Sequence, residues 1–112
     1  MSAFFNSDVV RAEMAEIQEL QEEVYTNVFK FPTMSKEDQQ YHVEILERLL
    51  DKQRVMYTRL SLSDDPEAKK LKETISESAV DMGVPKDMDM NLVFNNMSRA
   101  VEMMKDHIDK QS

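Results

Sequence analysis

The sequence predicts an all-α protein whose four helices are built on a long antiparallel helical hairpin, in a bundle-like arrangement. The 112 residues include one glycine, three prolines and no cysteine, and 22 carboxylates outnumber 14 lysines and arginines. So few turn residues favour a small number of long helices, and a net charge of −8 makes their outer faces acidic. A chain of this length is expected to form a single domain, residues 1–112.

The first helix is expected over residues 8–31. Asn6 or Ser7 supplies its N-cap, and Pro32 disfavours helical backbone angles at the residue before it. Apolar residues recur along this helix at spacings of three and four, with Gln21 as an interruption. The predicted core stripe consists of Val10, Met14, Ile17, Val24, Val28 and Phe31.

The second helix is expected over residues 36–61 and is predicted to be the central one. Ser35 followed by Asp38 resembles a capping box, and the apolar residues beyond them cover more than one side of the helix. Gln53 interrupts this stripe as Gln21 interrupts the first. The two glutamines either fix the register or oligomeric state at a helix seam, or lie at its margin with their amides in water.

The third and fourth helices are expected over residues 66–82 and 90–110. Pro66 suits a first helical position, and Gly83, the only glycine, is placed to end the third helix in a left-handed cap. At about 1.5 Å per residue, the third helix is shorter than the two helices of the hairpin. It is expected to run back along the hairpin and to stop about 10 Å short of the tip.

The tip of the hairpin is the predicted contact surface. A third helix that stops short leaves apolar and aromatic side chains there, which a monomer would not normally expose to water. Either a second copy of the chain or another protein covers them, or the fourth helix folds over the tip and makes it core. The predicted contact residues are Phe29, Phe31, Pro32, Met34 and Tyr41.

The first helix also carries an acidic ridge. No cation lies between Arg11 and Lys30, and Glu16, Glu19 and Glu23 fall on one face, opposite the apolar stripe. Such a ridge suits a basic partner or imitates a phosphate backbone. The more common interpretation is the solvated side of an amphipathic helix.

No motif predicts catalysis, a cofactor or a metal. Neither His42 nor His107 has a glutamate three residues before it, as di-iron bundles require, and the acidic segment 87–98 has Leu92 where a calcium loop needs glycine. The chain is therefore not expected to be an enzyme. Its negative charge disfavours direct contact with nucleic acid or an anionic membrane. With no export signal and no apolar run near about 18 residues, a cytoplasmic protein is expected.

Three segments carry a resemblance to a known family: EIQELQEEVY at residues 16–25, FPTMS at 31–35 and LSLSDDPEA at 60–68, with residues 87–97 also fitting. The chain resembles a family of small acidic cyanobacterial proteins with relatives in cyanophages, catalogued as a domain of unknown function. The resemblance implies a cytoplasmic setting and a photosynthetic bacterial or viral origin. It carries over no catalytic or binding residue.

These features favour a non-catalytic protein-interaction or regulatory module that forms a homodimer. The alternative is an acidic regulator that docks on a basic surface of the transcription or nucleic-acid machinery through Glu16, Glu19 and Glu23. Salt separates the two functions, because binding through the ridge weakens steeply with ionic strength whereas a contact through Phe29 and Phe31 barely responds.

Overall fold

The chain forms four α-helices and one 3-10 helix in a computed structural model that describes residues 3–110. The α-helices are α1 (Asp8–Asn27), α2 (Lys36–Leu62), α3 (Pro66–Asp81) and α4 (Met90–Asp109), and the 3-10 helix (Val28–Thr33) joins α1 to α2. No strand occurs within residues 3–110. The all-α, bundle-like fold class predicted from the composition is confirmed.

Each α-helix begins at a residue whose side chain caps it. The Ser35 hydroxyl accepts a hydrogen bond from the backbone N–H of Asp38 at 3.2 Å, and the Asp65 carboxylate accepts one from Glu67 at 2.9 Å. Such caps satisfy backbone donors that have no partner inside the helix, and each contributes about 1 kcal/mol. The caps of α1 and α4 are Ser7 and Asp89.

The first helix ends earlier than the expected residue 31. Its α-helical part stops at Asn27, and residues 28–33 wind more tightly as the 3-10 helix, with Pro32 inside it. Proline lacks an N–H donor and restricts the residue before it, so the α-helical hydrogen-bond pattern cannot continue through this segment. The tighter turn changes the directions in which Phe29 and Phe31 leave the backbone.

Helix α2 is the centre of the molecule, with α1 and α4 packed on different sides of it. One buried cluster joins α1 to α2 and contains Leu20, Val24, Ile45 and Leu49. A second cluster joins α2 to α4 and contains Val43, Leu50, Phe94, Val101 and Ile108. Because these clusters use different faces of α2, the three helices lie side by side.

Helix α3 does not run back along the hairpin as expected. Its first turn packs at the far end of α2, where Ala68 is buried with Leu60 and Val10. Its last turn still lies there, because Ala79 and Val80 line the same small cavity as Tyr57. Gly83 follows with a φ of 104°, a left-handed conformation that glycine adopts without strain, and the chain turns into α4. All of α3 therefore stays at the open end of the hairpin.

The described part of the chain is flat. Its principal extents are 51 × 32 × 19 Å. The long dimension accommodates α2, which at about 1.5 Å per residue is roughly 40 Å long, and the second dimension fits three helices side by side. The layer has two broad sides, and α3 crosses one end of it.

Candidate docking surface

The structure separates the residues predicted to form the contact surface at the tip. Phe29 lies in solvent with 92% of its surface exposed. Phe31 instead turns inward, where its ring lies 5.4 Å from the His42 ring and packs against the cluster between α2 and α4. Met34 and Tyr41 lie apart from both phenylalanines and line a shallow cavity at the seam between α1 and α2. Pro32 is exposed between these regions.

Helix α4 reaches the tip and contributes to the partial burial of Phe31. The Lys36 ammonium donates to the backbone carbonyl of Asp109 at 3.3 Å, and the Gln40 amide donates to the Asp109 carboxylate at 3.2 Å. The Gln39 amide donates to the backbone carbonyl of Phe31 at 2.9 Å. The fourth helix therefore covers part of the tip, on one side of Phe31, and leaves Phe29 exposed.

His42 is a buried residue beneath the 3-10 helix. Burial lowers the pKa of its imidazole, and the nearby Glu23 carboxylate opposes this effect more weakly. A histidine held in this way favours the neutral ring. Its contact with the Phe31 ring makes it part of the packing that holds the tip.

The acidic ridge lies along the seam between α1 and α2. Glu16 pairs with Lys52 at 3.1 Å, and the carboxylate of Glu23 accepts a hydrogen bond from the Tyr41 hydroxyl, which raises the pKa of Tyr41. Glu19 is exposed to solvent. The structure thus places two of the three ridge carboxylates against partners on α2.

Two cations of α2 complete this seam and were not recognised from the sequence. Lys52 pairs with Glu16, and the Arg59 guanidinium contacts both carboxylate oxygens of Glu13 at 3.1 and 3.2 Å. The signal was present, because Lys52 and Arg59 lie seven residues apart and therefore on the same face of α2.

The seam between α2 and α4 is also charged. Lys105 contacts Glu47 and lies 3.6 Å from Glu102, and its hydrogen bond lowers the pKa of the Glu47 carboxyl. The Arg54 guanidinium donates to Asn95 at 3.0 Å. An open groove of about 800 Å³ follows this seam. Its polar lining includes Gln40, Glu44, Glu47, Arg48, Asp51, Lys52, Lys105 and Asp109.

A second stripe on α1 carries no charge, and we call it the α1 seam. Its residues follow one another at spacings of four, three, four and three, which places them on one face of a helix. Tyr25 is 71% exposed, Val28 42% and Met14 38%. The α1 seam comprises Met14, Gln18, Gln21, Tyr25 and Val28.

The α1 seam corrects the predicted core stripe of the first helix. Met14 and Val28 were expected in the core, but they belong to the exposed face. Gln21 does not interrupt a core stripe, because it lies on the α1 seam between Gln18 and Tyr25. At 100° per residue, this face points about 90° away from the buried residues and roughly opposite Glu16 and Glu23.

The same broad side of the molecule stays uncharged beyond α1. On α2, Leu46 and Gln53 lie between the face that packs on α1 and the face that packs on α4. On α4, Met97 and Met104 lie on the flank turned away from Lys105 and its ion pairs. Leu46, Gln53 and Met104 are half-buried, and Met97 is exposed. We call the α1 seam and these four residues the uncharged side.

Two other kinds of site are absent from residues 3–110. No group of three or more His, Asp, Glu or Cys side chains in this range lies close enough to hold a metal ion. None of the helices in this range combines the length and the apolar character needed to cross a membrane.

Comparison with known proteins gives one match. No curated protein and no solved structure is detectably similar to the chain. The family described as the domain of unknown function DUF1825 matches residues 2–108, nearly the whole sequence. The chain belongs to the DUF1825 family.

Proposed function

We propose that the protein is a non-catalytic interaction module that works as a homodimer and binds a protein partner through the tip of its helical hairpin. The observation that carries the proposal is the exposure of Phe29, which has 92% of its surface in water. Burying a phenylalanine side chain against a partner contributes about 1.5–3 kcal/mol. Aromatic residues of this kind are typical anchors of protein interfaces.

The surroundings of Phe29 support the proposal. Pro32, three residues later in the 3-10 helix, is also exposed and extends the apolar surface at the tip. The 3-10 helix that presents Phe29 is held from below by the contacts of Phe31 with His42 and Gln39. A fixed scaffold lowers the entropic cost of binding.

The alternative, an acidic regulator docking through the ridge, has weaker support. Glu16 and Glu23 contact Lys52 and Tyr41 within the same chain, so a basic partner would have to compete for them. Glu19 alone among the ridge residues is exposed without such a competitor on α2. A cytoplasmic setting and a cyanobacterial or phage origin, implied by the resemblance above, remain part of the proposal.

A pull-down with the full chain as bait tests the proposal. The extract comes from a cyanobacterium, and binding is compared at about 0.1 M and 0.5 M salt, which differ strongly in charge screening. We expect a partner that is retained at both salt concentrations and lost with Phe29→Ser, by about 30-fold in affinity or more. The control Glu19→Gln keeps that partner. A partner lost with Glu19→Gln and at high salt, but retained by Phe29→Ser, would establish the acidic-regulator function instead.

A further inference from the structure

We infer that the uncharged side binds the same side of a second copy of the chain, and that the α1 seam forms the centre of this contact. The inference rests on the homodimer of the proposed function and adds the surface that makes it. Phe29 lies at the edge of this surface and stays available for a different protein.

Charge identifies a second copy as the occupant. In a two-fold dimer each surface faces itself, so a charged surface meets its own sign. Each chain carries a net charge of −8, and the opposite broad side holds the ion-paired seams and the groove in which carboxylates lie beside Arg48, Lys52 and Lys105. The uncharged side contains no aspartate, glutamate, lysine or arginine, and so two copies approach there without direct repulsion. A basic partner would favour the opposite side.

The amides on this side are also self-complementary. Gln21 lies in the middle of the α1 seam, and Gln53 lies on α2 at the level of the Glu16–Lys52 pair, more than one helical turn from Gln21. A side-chain amide both donates and accepts hydrogen bonds. Each glutamine can therefore pair with the same glutamine of a second copy as well as with water. A polar residue among apolar neighbours at a helix seam fixes register and oligomeric state.

The spacing of the α1 seam suits a helix as the occupant. Repeats of four and three residues are the pattern by which one helix packs along another. A helix of the same chain already packs on one end of this side, because α3 buries Ala68 there against Leu60 and Val10. Within residues 3–110, no helix covers the rest of this side toward the tip.

The available area is sufficient for a stable dimer. The outline of the described chain extends over 51 × 32 Å in the plane of the layer, so a contact over half of this outline, outside the end that α3 crosses, covers roughly 800 Å² on each chain. This is the size of a standard specific interface, about 1,600 Å² in total.

The first test is the mass of the full chain in solution as a function of concentration. Light scattering is expected to give twice the chain mass of 13.1 kDa. Gln21→Glu changes one group and keeps helix propensity, yet places a carboxylate at the centre of the contact. It is expected to raise the dissociation constant of the dimer by about tenfold or more, since two like charges then face each other across the two-fold axis. Met97→Glu repeats the test on α4, and Ala15→Glu adds the same charge outside the uncharged side as the matched control.

The outcomes separate the inference from the proposed function. A dimer weakened by Gln21→Glu and Met97→Glu but not by Ala15→Glu supports the inference. A dimer that withstands both substitutions, with circular dichroism showing folded variants, overturns the inference and keeps the homodimer. A wild-type monomer at every concentration overturns both, while the role of Phe29 is still decided by the pull-down.

A measurement on the unmodified chain guards against variants that fail to fold. Dilute peroxide oxidises exposed methionines, and mass spectrometry follows each one. Met97 and Met14 are expected to oxidise several-fold more slowly in concentrated than in dilute protein. Met82 and Met103, exposed residues outside the uncharged side, are the internal controls and keep the same rate. Equal protection of all four, or of none, contradicts the inference.

Discussion

At the scale of single residues, the molecule depends on a few side chains that are completely enclosed. Leu60 is 1% exposed and belongs to the cluster in which α1, α2 and α3 meet. Leu62, two positions later on α2, is 81% exposed. The two leucines have the same side chain and lie on the same helix, but they differ in burial. Comparing them therefore measures what burial contributes to the free energy of unfolding.

Leu60→Ala is expected to lower the free energy of unfolding by about 2–5 kcal/mol, because the change removes buried methyl groups and leaves a cavity. Leu62→Ala is the matched control and is expected to change it by less than about 0.5 kcal/mol. Urea denaturation of both variants measures the difference. Similar losses for the two leucines would contradict the packing described for the junction of α1, α2 and α3.

His42 makes the stability of the fold dependent on pH. Burial lowers its pKa in the folded chain below the ordinary 6.5, so the unfolded chain binds the proton more readily. Stability is therefore fully present above pH 6.5 and falls as the pH decreases below it. Urea denaturation between about pH 7.5 and 5.5 is expected to show this loss in the wild type and not in His42→Gln. His107→Gln makes the same substitution at an exposed position and is the matched control.

At the scale of elements, local rules place most helix boundaries. The cap at Ser35 and the proline at position 66 are visible in the sequence and lie where α2 and α3 begin. The end of α1 was placed too late, because the 3-10 helix continues the apolar pattern while changing the winding around Pro32.

The N-cap of α2 tests whether a local sequence signal stabilises the start of a helix. Ser35→Ala is expected to cost about 1 kcal/mol, because the backbone N–H of Asp38 loses its acceptor at 3.2 Å. Ser61→Ala removes a hydroxyl that only donates to a carbonyl within α2, and it is expected to change stability much less. Thermal denaturation of both variants measures the contrast. Equal losses would mean that the cap does not stabilise the start of α2.

The spacing of apolar residues predicted wrong core positions on α1, where two uncharged stripes share one helix. Met14 and Val28 fit the spacing of the core residues of α1, although they belong to the α1 seam about 90° away. A pattern of threes and fours does not distinguish neighbouring faces when both are uncharged. The direction of α3 was also missed, since it depends on the packing of Ala68 against Leu60 and on the position of Ala79 beside Tyr57, and not on a local motif.

At the scale of the whole molecule, charge is distributed by side. The ion pairs of Glu13 and Glu16 with α2, and of Glu47 with α4, lie along the two seams of one broad side. On the other broad side, the α1 seam and the four residues beside it on α2 and α4 carry no charge, and the charged residues of α3 lie at one end. The excess of carboxylates and the position of Phe29 at the tip were visible in the sequence. The division into two sides became visible only when the register of α1 and α4 on α2 was known.

The salt dependence of the oligomeric state shows whether two chains meet through the uncharged side. Sedimentation equilibrium of the full chain is compared at about 0.1 M and 1 M sodium chloride, which shortens the screening length from about 10 Å to 3 Å. A dimer joined through the uncharged side should be at least as stable at high salt, because screening reduces the repulsion between two chains of charge −8. A chain that is monomeric at both salt concentrations, or a dimer that dissociates as salt increases, would contradict the account.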